Sequence, residues 1–208
     1  MVTEQLEVER KFDVDEAFAL PPLEAVPGVA AADPPEAHEL EAVYHDTPGL
    51  RLVRGRVTLR RRTGGPDAGW HLKLPAGAAR RELHLPLDDG AGSAPAELLD
   101  AVAGLLAGEV PEPVVTMRTR RVVTVLRDAR GRALAEVADD TVTATVRAAA
   151  RGGTPEVRSW REVEVELVEG EEPLLGAVGE VLVAAGARPS PRASKLAFAL
   201  SSRLGIAG

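Results

Sequence analysis

Charged and apolar residues alternate with a period of two in stretch after stretch of this chain. Successive side chains of a β-strand point to opposite faces, so such alternation marks strands with one polar and one apolar face. The first instance is Glu7-Val8-Glu9-Arg10-Lys11, inside a strand expected over Gln5 to Asp13. Glu7, Glu9 and Lys11 share one face, and Leu6, Val8 and Phe12 the other, interrupted by Arg10. The sharpest instance is Trp160 to Val168, where Glu162, Glu164 and Glu166 stand opposite Val163, Val165 and Leu167. Like charges two apart on a strand repel unless cations, a metal or solvent compensate them.

The same pattern recurs with basic residues. Arg60 and Arg62 share a face of Val57 to Arg62, and His71 and Lys73 share one of Gly69 to Leu74. Arg80 and Glu82 align on Arg80 to Leu85, and Arg118 and Arg120 within Val114 to Arg127. Glu136 and Asp140 flank Ala138 on one face of Ala133 to Asp140, which with Thr141 to Ala148 reads as a further strand or a bent pair. A single sheet with one wet face would give this alternation too. Acidic and basic clusters segregated onto one family of faces favour a shared ligand with metal and anion parts. If the sheet closes, those faces line a wet channel and the apolar faces pack under helices, the inverse of a usual small barrel.

Helical periodicity predicts Ala96 to Leu106, Leu174 to Ala185 and a last helical segment over Lys195 to Arg203. Asp46 or Thr47 is placed to cap a short helix over Leu50 to Arg54. Gly64-Gly65-Pro66-Asp67, Asp128-Ala129-Arg130-Gly131 and Arg151-Gly152-Gly153 read as hairpin turns, and Asp88 to Pro95 as a polar loop. No Gly/Ser linker divides the 208 residues, so one largely antiparallel α+β domain is expected over 1–204, with 205–208 as a short tail.

Composition removes several classes of function. There is no cysteine, which excludes disulfides, thiol catalysis and cysteine-held metals. A net charge of −7 and 3% aromatic residues argue against a nucleic-acid polymer as partner. No signal peptide or membrane-length apolar run is visible, so a cytoplasmic location and no membrane partner are the expectation. The chain has neither GxxxxGK[ST] nor HExxH, and His38, His45, His71 and His84 are dispersed, which favours ordinary polar contacts for them. Ser194 has no evident triad and reads as structural. The only lysines are Lys11, Lys73 and Lys195; every other cationic side chain is arginine, which draws attention to those three. Carboxylate clusters suit Mg²⁺ or Mn²⁺, and clustered Arg and Lys suit phosphate oxygens, which together resemble a phosphoryl-transfer site.

Glu7-Val8-Glu9-Arg10-Lys11 matches the ExExK signature of the CYTH domain, in the triphosphate tunnel metalloenzyme superfamily of class IV adenylate cyclases and thiamine triphosphatases. Tyr44-His45-Asp46-Thr47-Pro48 resembles that family's YxDT segment, and Leu59-Arg60-Arg61-Arg62, Leu72-Lys73-Leu74 and Ser194-Lys195-Leu196 follow in its order. The resemblance implies an eight-stranded antiparallel closed β-barrel, a tunnel with peripheral helices. It implies divalent-metal-dependent hydrolysis of a small-molecule triphosphate, with inorganic tripolyphosphate as the leading substrate. A class IV-type adenylate cyclase, a thiamine triphosphatase and a non-catalytic polyphosphate- or nucleotide-binding module are the alternatives.

Carried onto this chain, Glu7, Glu9, Glu164 and Glu166 become the metal ligands. Lys11, Arg60, Arg62, Lys73, Arg118, Arg120 and Lys195 become phosphate ligands, with Arg121 leaving the local register ambiguous. Glu82, Glu136, Asp140 and Glu162 become supporting groups or holders of a second metal, with Asp139 as the off-register alternative. Glu7, Glu9, Lys11 and Glu164 form the catalytic set, and Glu7 or Glu164 would accept a proton through water. The sequence also resembles the CYTH half of larger bacterial fusions with a helical CHAD domain. The chain ends at Gly208 without one, so a stand-alone enzyme, monomeric or homodimeric, is the expectation.

Overall fold

The computed structural model describes residues 1–87, 92–148, 153–192 and 194–206. The expected turn at Arg151-Gly152, part of the Asp88 to Pro95 loop and the end of the 205–208 tail lie outside them. The strands are Thr3–Glu7 (β1), Glu9–Val14 (β2), Ala31–Ala32 (β3), Glu36–Asp46 (β4), Thr58–Thr63 (β5) and Gly69–Ala76 (β6). They continue as Ala79–Pro86 (β7), Glu112–Arg127 (β8), Ala133–Val146 (β9), Glu156–Leu167 (β10) and Arg188–Pro189 (β11). The helices are Arg51–Arg54 (α1), Ala96–Asp100 (α2), Ala103–Leu106 (α3), Glu172–Ala184 (α4), Lys195–Ala199 (α5) and Ser201–Leu204 (α6).

All strand pairs are antiparallel and follow one path, β1-β7-β6-β5-β4-β8-β9-β10-β2-β11, with β3 added beside β8. This overturns the closed eight-stranded barrel. The sheet is an open, strongly curled half-barrel with ten strands on its path. The reason lies at Val8. The first strand breaks there, so its first half ladders with β7 and its second half with β10. Among the described residues no ladder joins β1 to β2; the covalent chain alone spans the gap. Alternation reports which face a side chain takes, and it carries no information on whether two edges pair.

The apolar faces pack outward under the helices. Phe12, Val137, Val163 and Val165 meet Leu175, Val178 and Leu182 of α4 in one cluster. Leu59, Leu72 and Leu83 meet Leu52 of α1 and Leu98, Val102 and Leu106 of the α2–α3 segment in another. A third lies instead on the concave side of the sheet, where Tyr44, Met117 and Val142 take Leu196, Ala199 and Leu200 from the α5–α6 segment. Each such fully buried aliphatic side chain stabilises the fold by about 1.5–3 kcal/mol. Gly179 lets α4 sit close, since a Cβ there would stand 3.0 Å from the Phe12 ring.

Most expected elements appear with shifted ends. Of the two readings for Ala133 to Ala148, a further strand or a bent pair, the structure has the single strand, β9. The single helix expected over Ala96 to Leu106 is two short helices, broken where Val102 takes φ −123°. Lys195 to Arg203 likewise divides at Leu200. Asp46 is a helix anchor: its carboxylate accepts from the backbone N–H of Thr47 (2.7 Å), Leu52 (2.9 Å) and Val53 (3.0 Å). The Thr47 hydroxyl accepts from Arg51 N–H at 3.2 Å.

Candidate triphosphate and metal site

The concave side of the sheet encloses a cavity of about 620 Å³, lined by charge from almost every strand that curls around it. Its basic wall is built mainly by β5 and β6. Thr58, Arg60 and Arg62 occupy one face of β5, with Lys73 of β6 directly beside Thr58. Opposite it, β10 presents Glu164 and Glu166, in register with Lys11 and Glu9 of β2. Glu7 enters from β1, so the ExExK pattern delivers its two glutamates to the cavity from two different ladders.

The cations fall into two groups. Lys11, Lys73, Arg121 and Lys195 are tied to carboxylates. Lys73 Nζ lies 2.6 Å from a Glu7 oxygen, and Lys11 Nζ lies 3.0 Å from Glu9 while also pairing with Glu164. Lys195 Nζ sits among Asp140 (3.0 Å), Glu162 (2.5 Å) and Glu164 (2.7 Å). Arg121 donates to both oxygens of Asp140, at 2.8 and 2.6 Å, and to Glu164 at 2.8 Å. Arg60, Arg62 and Arg80 form the other group. Arg60 donates to the Tyr44 hydroxyl at 3.3 Å and has no ion-pair partner among the described residues. Arg62 pairs with Asp67 of the β5–β6 hairpin. The buried Nε of each of the three lacks a hydrogen-bond partner among the described residues.

Burial and neighbouring charge shift several of these groups. Burial, with repulsion from Arg60 and Arg121, pulls the Arg62 guanidinium down to about 9. Glu164 is held well below the usual carboxylate range because Lys11, Lys195 and Arg121 outweigh its burial. Lys195 is raised, Glu164, Asp140 and Glu162 prevailing over burial. Glu7 moves the other way: burial and its neighbour Glu82 push it up to about 8, despite Lys73. Glu166 is also raised, by burial and then by Glu9 and Glu164, against Lys73. Burial therefore disfavours the ionised form of two of the cavity's carboxyl groups, Glu7 and Glu166.

Of the expected metal ligands, Glu7, Glu9, Glu164 and Glu166 all line the cavity, as do the expected phosphate ligands Lys11, Arg60, Arg62, Lys73 and Lys195. Glu82 is buried beside Lys73 and His71, and Glu136 stands at the cavity's rim. Asp140 and Glu162 are buried with Glu164, and these three can bring ligand atoms within 4.8 Å of one another. Arg118 and Arg120 are placed elsewhere. They lie on the outer face, Arg118 80% exposed and paired with Glu41 at 3.0 Å. The cation that β8 turns to the cavity is Arg121, the neighbour that left the register ambiguous. Asp139 points out and pairs with Arg161 at 2.6 Å. Ser194 caps α5, its hydroxyl accepting from Ala197 N–H at 3.1 Å.

Arg80 was absent from the expected set although its alternation with Glu82 marked the face. It also lines a second cavity of about 860 Å³, walled by Phe12, Val53, Val57, Pro75 and Val183 and edged by Arg10, Arg56 and Arg192. Glu7, Glu9, Lys11, Thr58, Arg80 and Ser194 line both spaces.

With this geometry in view, known proteins bear on it directly. Residues 5–187 match the CYTH domain family. The chain belongs to the CYTH family. Its membership in the triphosphate tunnel metalloenzyme superfamily agrees with a fold shared across solved structures. The CYTH chain resembles a putative adenylate cyclase from Bacillus halodurans with a TM-score of 0.65 and 18% identity, covering 94% of this chain and 97% of that one. A putative adenylate cyclase from Vibrio parahaemolyticus gives 0.52 at 20% identity, over 95% and 98% of the two chains. A putative adenylyl cyclase from Hippeastrum, described as having a dominant triphosphatase activity, gives 0.50 at 16%, over 99% and 98%. At these identities the likeness establishes the fold. Uncharacterized proteins from two strains of Mycobacterium tuberculosis are each 43% identical over 207 residues, 95% of this chain. The chain spans 40% of the length of those relatives. Within this fold the acidic cluster and the basic wall suit metal-dependent triphosphate chemistry in general. Among the described residues, no helix is long and apolar enough to cross a membrane.

Proposed function

We propose that this CYTH domain is a divalent-metal-dependent triphosphatase that hydrolyses a terminal phosphoanhydride of inorganic tripolyphosphate. One observation carries the reading: two arginines, Arg60 and Arg62, hold buried, unpartnered Nε–H donors in the cavity that Glu7, Glu9, Glu164 and Glu166 also line. Guanidinium forks match phosphoryl oxygens, and an oxygen-only acidic set suits a hard dication.

The residues fit such an ion. Glu7, Glu9, Glu164 and Glu166 turn carboxylate oxygens into one cavity, the donor chemistry that a hard dication takes. The triad of Asp140, Glu162 and Glu164 already encloses the Lys195 ammonium, so an ion placed at its centre would have to displace that lysine. Glu7, Glu9, Glu164 and Glu166 are therefore the preferred holders of Mg²⁺ or Mn²⁺. When bound, the ion supplies Lewis-acid compensation of phosphate charge and a water of lowered pKa. Arg60, Arg62, Lys73 and Lys11 bind and orient the phosphate chain. Lys195 and Arg121 fix Glu164 on the opposite wall. His71 is occupied, its ring nitrogens 2.5 Å from Glu82 and 2.9 Å from the Asp67 carbonyl oxygen. A carboxylate, Glu7 or Glu164, then receives the proton of the attacking water.

The adjoining apolar-walled cavity favours a second reading, an organic triphosphate such as ATP or thiamine triphosphate. Phosphate release measured with tripolyphosphate, thiamine triphosphate and ATP, under Mg²⁺ and under Mn²⁺, separates the two. Selective tripolyphosphate turnover is expected. Cyclic AMP and pyrophosphate from ATP would mean a cyclase, and tight binding without products a binding module. Glu9→Gln should lower turnover by about 100-fold or more while the fold persists. Near-normal activity in that variant would sink the assigned metal role.

A further inference from the structure

Arg80 stands where the two cavities meet, and neither the motif nor the family comparison gives it a task. Its place follows from sheet register. Across β5, β6, β7 and β1, Thr58 neighbours Lys73, Lys73 neighbours Glu82, and Glu82 neighbours Gln5. Two residues further along the strands, Pro75 neighbours Arg80, and Arg80 neighbours Glu7. In the other direction come Arg60 beside His71, then Arg62 beside Gly69. Arg62, Arg60, Lys73 and Arg80 thus form a file of cations along the strand axis, one pleat step of about 6.6 Å separating successive rows. Arg80 ends the file.

Its guanidinium is anchored through one nitrogen. Nη2 donates to the Arg56 carbonyl at 3.0 Å and, more weakly, to the Lys73 carbonyl at 3.4 Å. Arg56 holds φ at +61°, a conformation costly for a side chain with a Cβ, and so kept only where its surroundings enforce it. Nε is buried and unpartnered, and Arg80 has no ion-pair partner among the described residues. A half-buried cation fixed by backbone carbonyls, with a buried Nε–H donor to spare and no carboxylate in direct contact, is a group prepared for an anion.

We infer that Arg80 reads the length of the phosphate chain, contacting a third phosphoryl group that a pyrophosphate held by Arg60, Arg62 and Lys73 would not reach. The inference rests on the triphosphate reading above and names the residue that would separate triphosphate from diphosphate.

Calorimetric binding in Mg²⁺ tests it with two probes that resist hydrolysis, diimidotriphosphate and imidodiphosphate, in which N–H replaces the bridging oxygens. The unaltered chain should prefer the longer probe. Arg80→Lys keeps stem and charge but loses the fork, and Arg80→Met also loses the charge. Both should narrow that preference by roughly tenfold or more while leaving imidodiphosphate affinity within about twofold. Thermal melts check folding, and Arg80→Lys decides if Arg80→Met does not fold. Equal losses for both probes, or an unchanged preference, would overturn the role. An unaltered chain that binds both probes equally would also overturn it, yet leave phosphate binding intact. One that binds neither would remove the triphosphate reading itself.

Discussion

Asp140 is fully buried yet meets two cations, accepting a two-pronged contact from Arg121 and lying 3.0 Å from Lys195. Removing one partner of a buried ion network strands the others in a poorly hydrated place. Asp140→Ala should therefore destabilise the fold by about 3 kcal/mol in chemical denaturation. A loss under about 1 kcal/mol would show that Glu162 and Glu164 alone compensate Lys195 and Arg121. The same residues show what the sequence could reveal. Lys11, Lys73 and Lys195, singled out by their rarity and by the family's motifs, all line the charged cavity. Arg121 is harder to read because Arg118-Thr119-Arg120-Arg121 puts arginine on both faces of β8, and the structure turns Arg118 out and Arg121 to the cavity. Where cations occupy both faces of a strand, alternation alone does not say which of them turns inward. Glu164 and Glu166 lie on a strand with clean alternation, so their face is plain from the sequence, while Glu162 on that same face leaves the choice among the three open.

Among the elements, α5 is held in place by what surrounds it. It has only five residues, Lys195 to Ala199, too few to be stable alone. Lys195 projects to the cavity, while the Phe198 ring packs edge-on to Trp160 at 4.9 Å and lies under the Arg192 guanidinium at 3.6 Å. The Trp160 indole N–H donates to Glu162 at 2.6 Å, and Glu162 in turn meets Lys195 at 2.5 Å. Trp160 thus holds α5 by its ring and the lysine by its nitrogen. Trp160→Phe keeps the ring and removes the donor. It should raise KM for tripolyphosphate roughly five- to tenfold with a stability loss of about 1–2 kcal/mol. A stability loss with unchanged KM would confine the tryptophan to packing. The α2–α3 segment shows the limit of periodicity. Leu98, Val102 and Leu106 keep one buried stripe, as their spacing demands, but the backbone breaks between them. A β-branched residue at 102 and a glycine at 104 each lower helix propensity, and packing of the stripe is satisfied without a continuous helix.

At the scale of the whole molecule, inward charge and outward apolar packing could be anticipated from alternation, whereas the openness of the sheet could not. The break at Val8 leaves β1 tied to β7 and β2 tied to β10, with the Val8 carbonyl accepting from Leu167 N–H at 3.0 Å. Glu7 and Glu9 stand on either side of that break. A dication held by both would join two edges that no ladder joins, acting as a clasp across a seam. Amide hydrogen exchange should make this visible. Without divalent ions, the β1 amides should exchange well before those of β10, which is laddered on both sides. Mg²⁺ or Mn²⁺ should slow β1 by tenfold or more and leave the outer helices unchanged. Uniform slowing, or none, would mean that the ion does not bridge the break. A protein closed by its own cofactor would breathe at one edge until that cofactor arrives, and its rigidity would then follow the supply of metal.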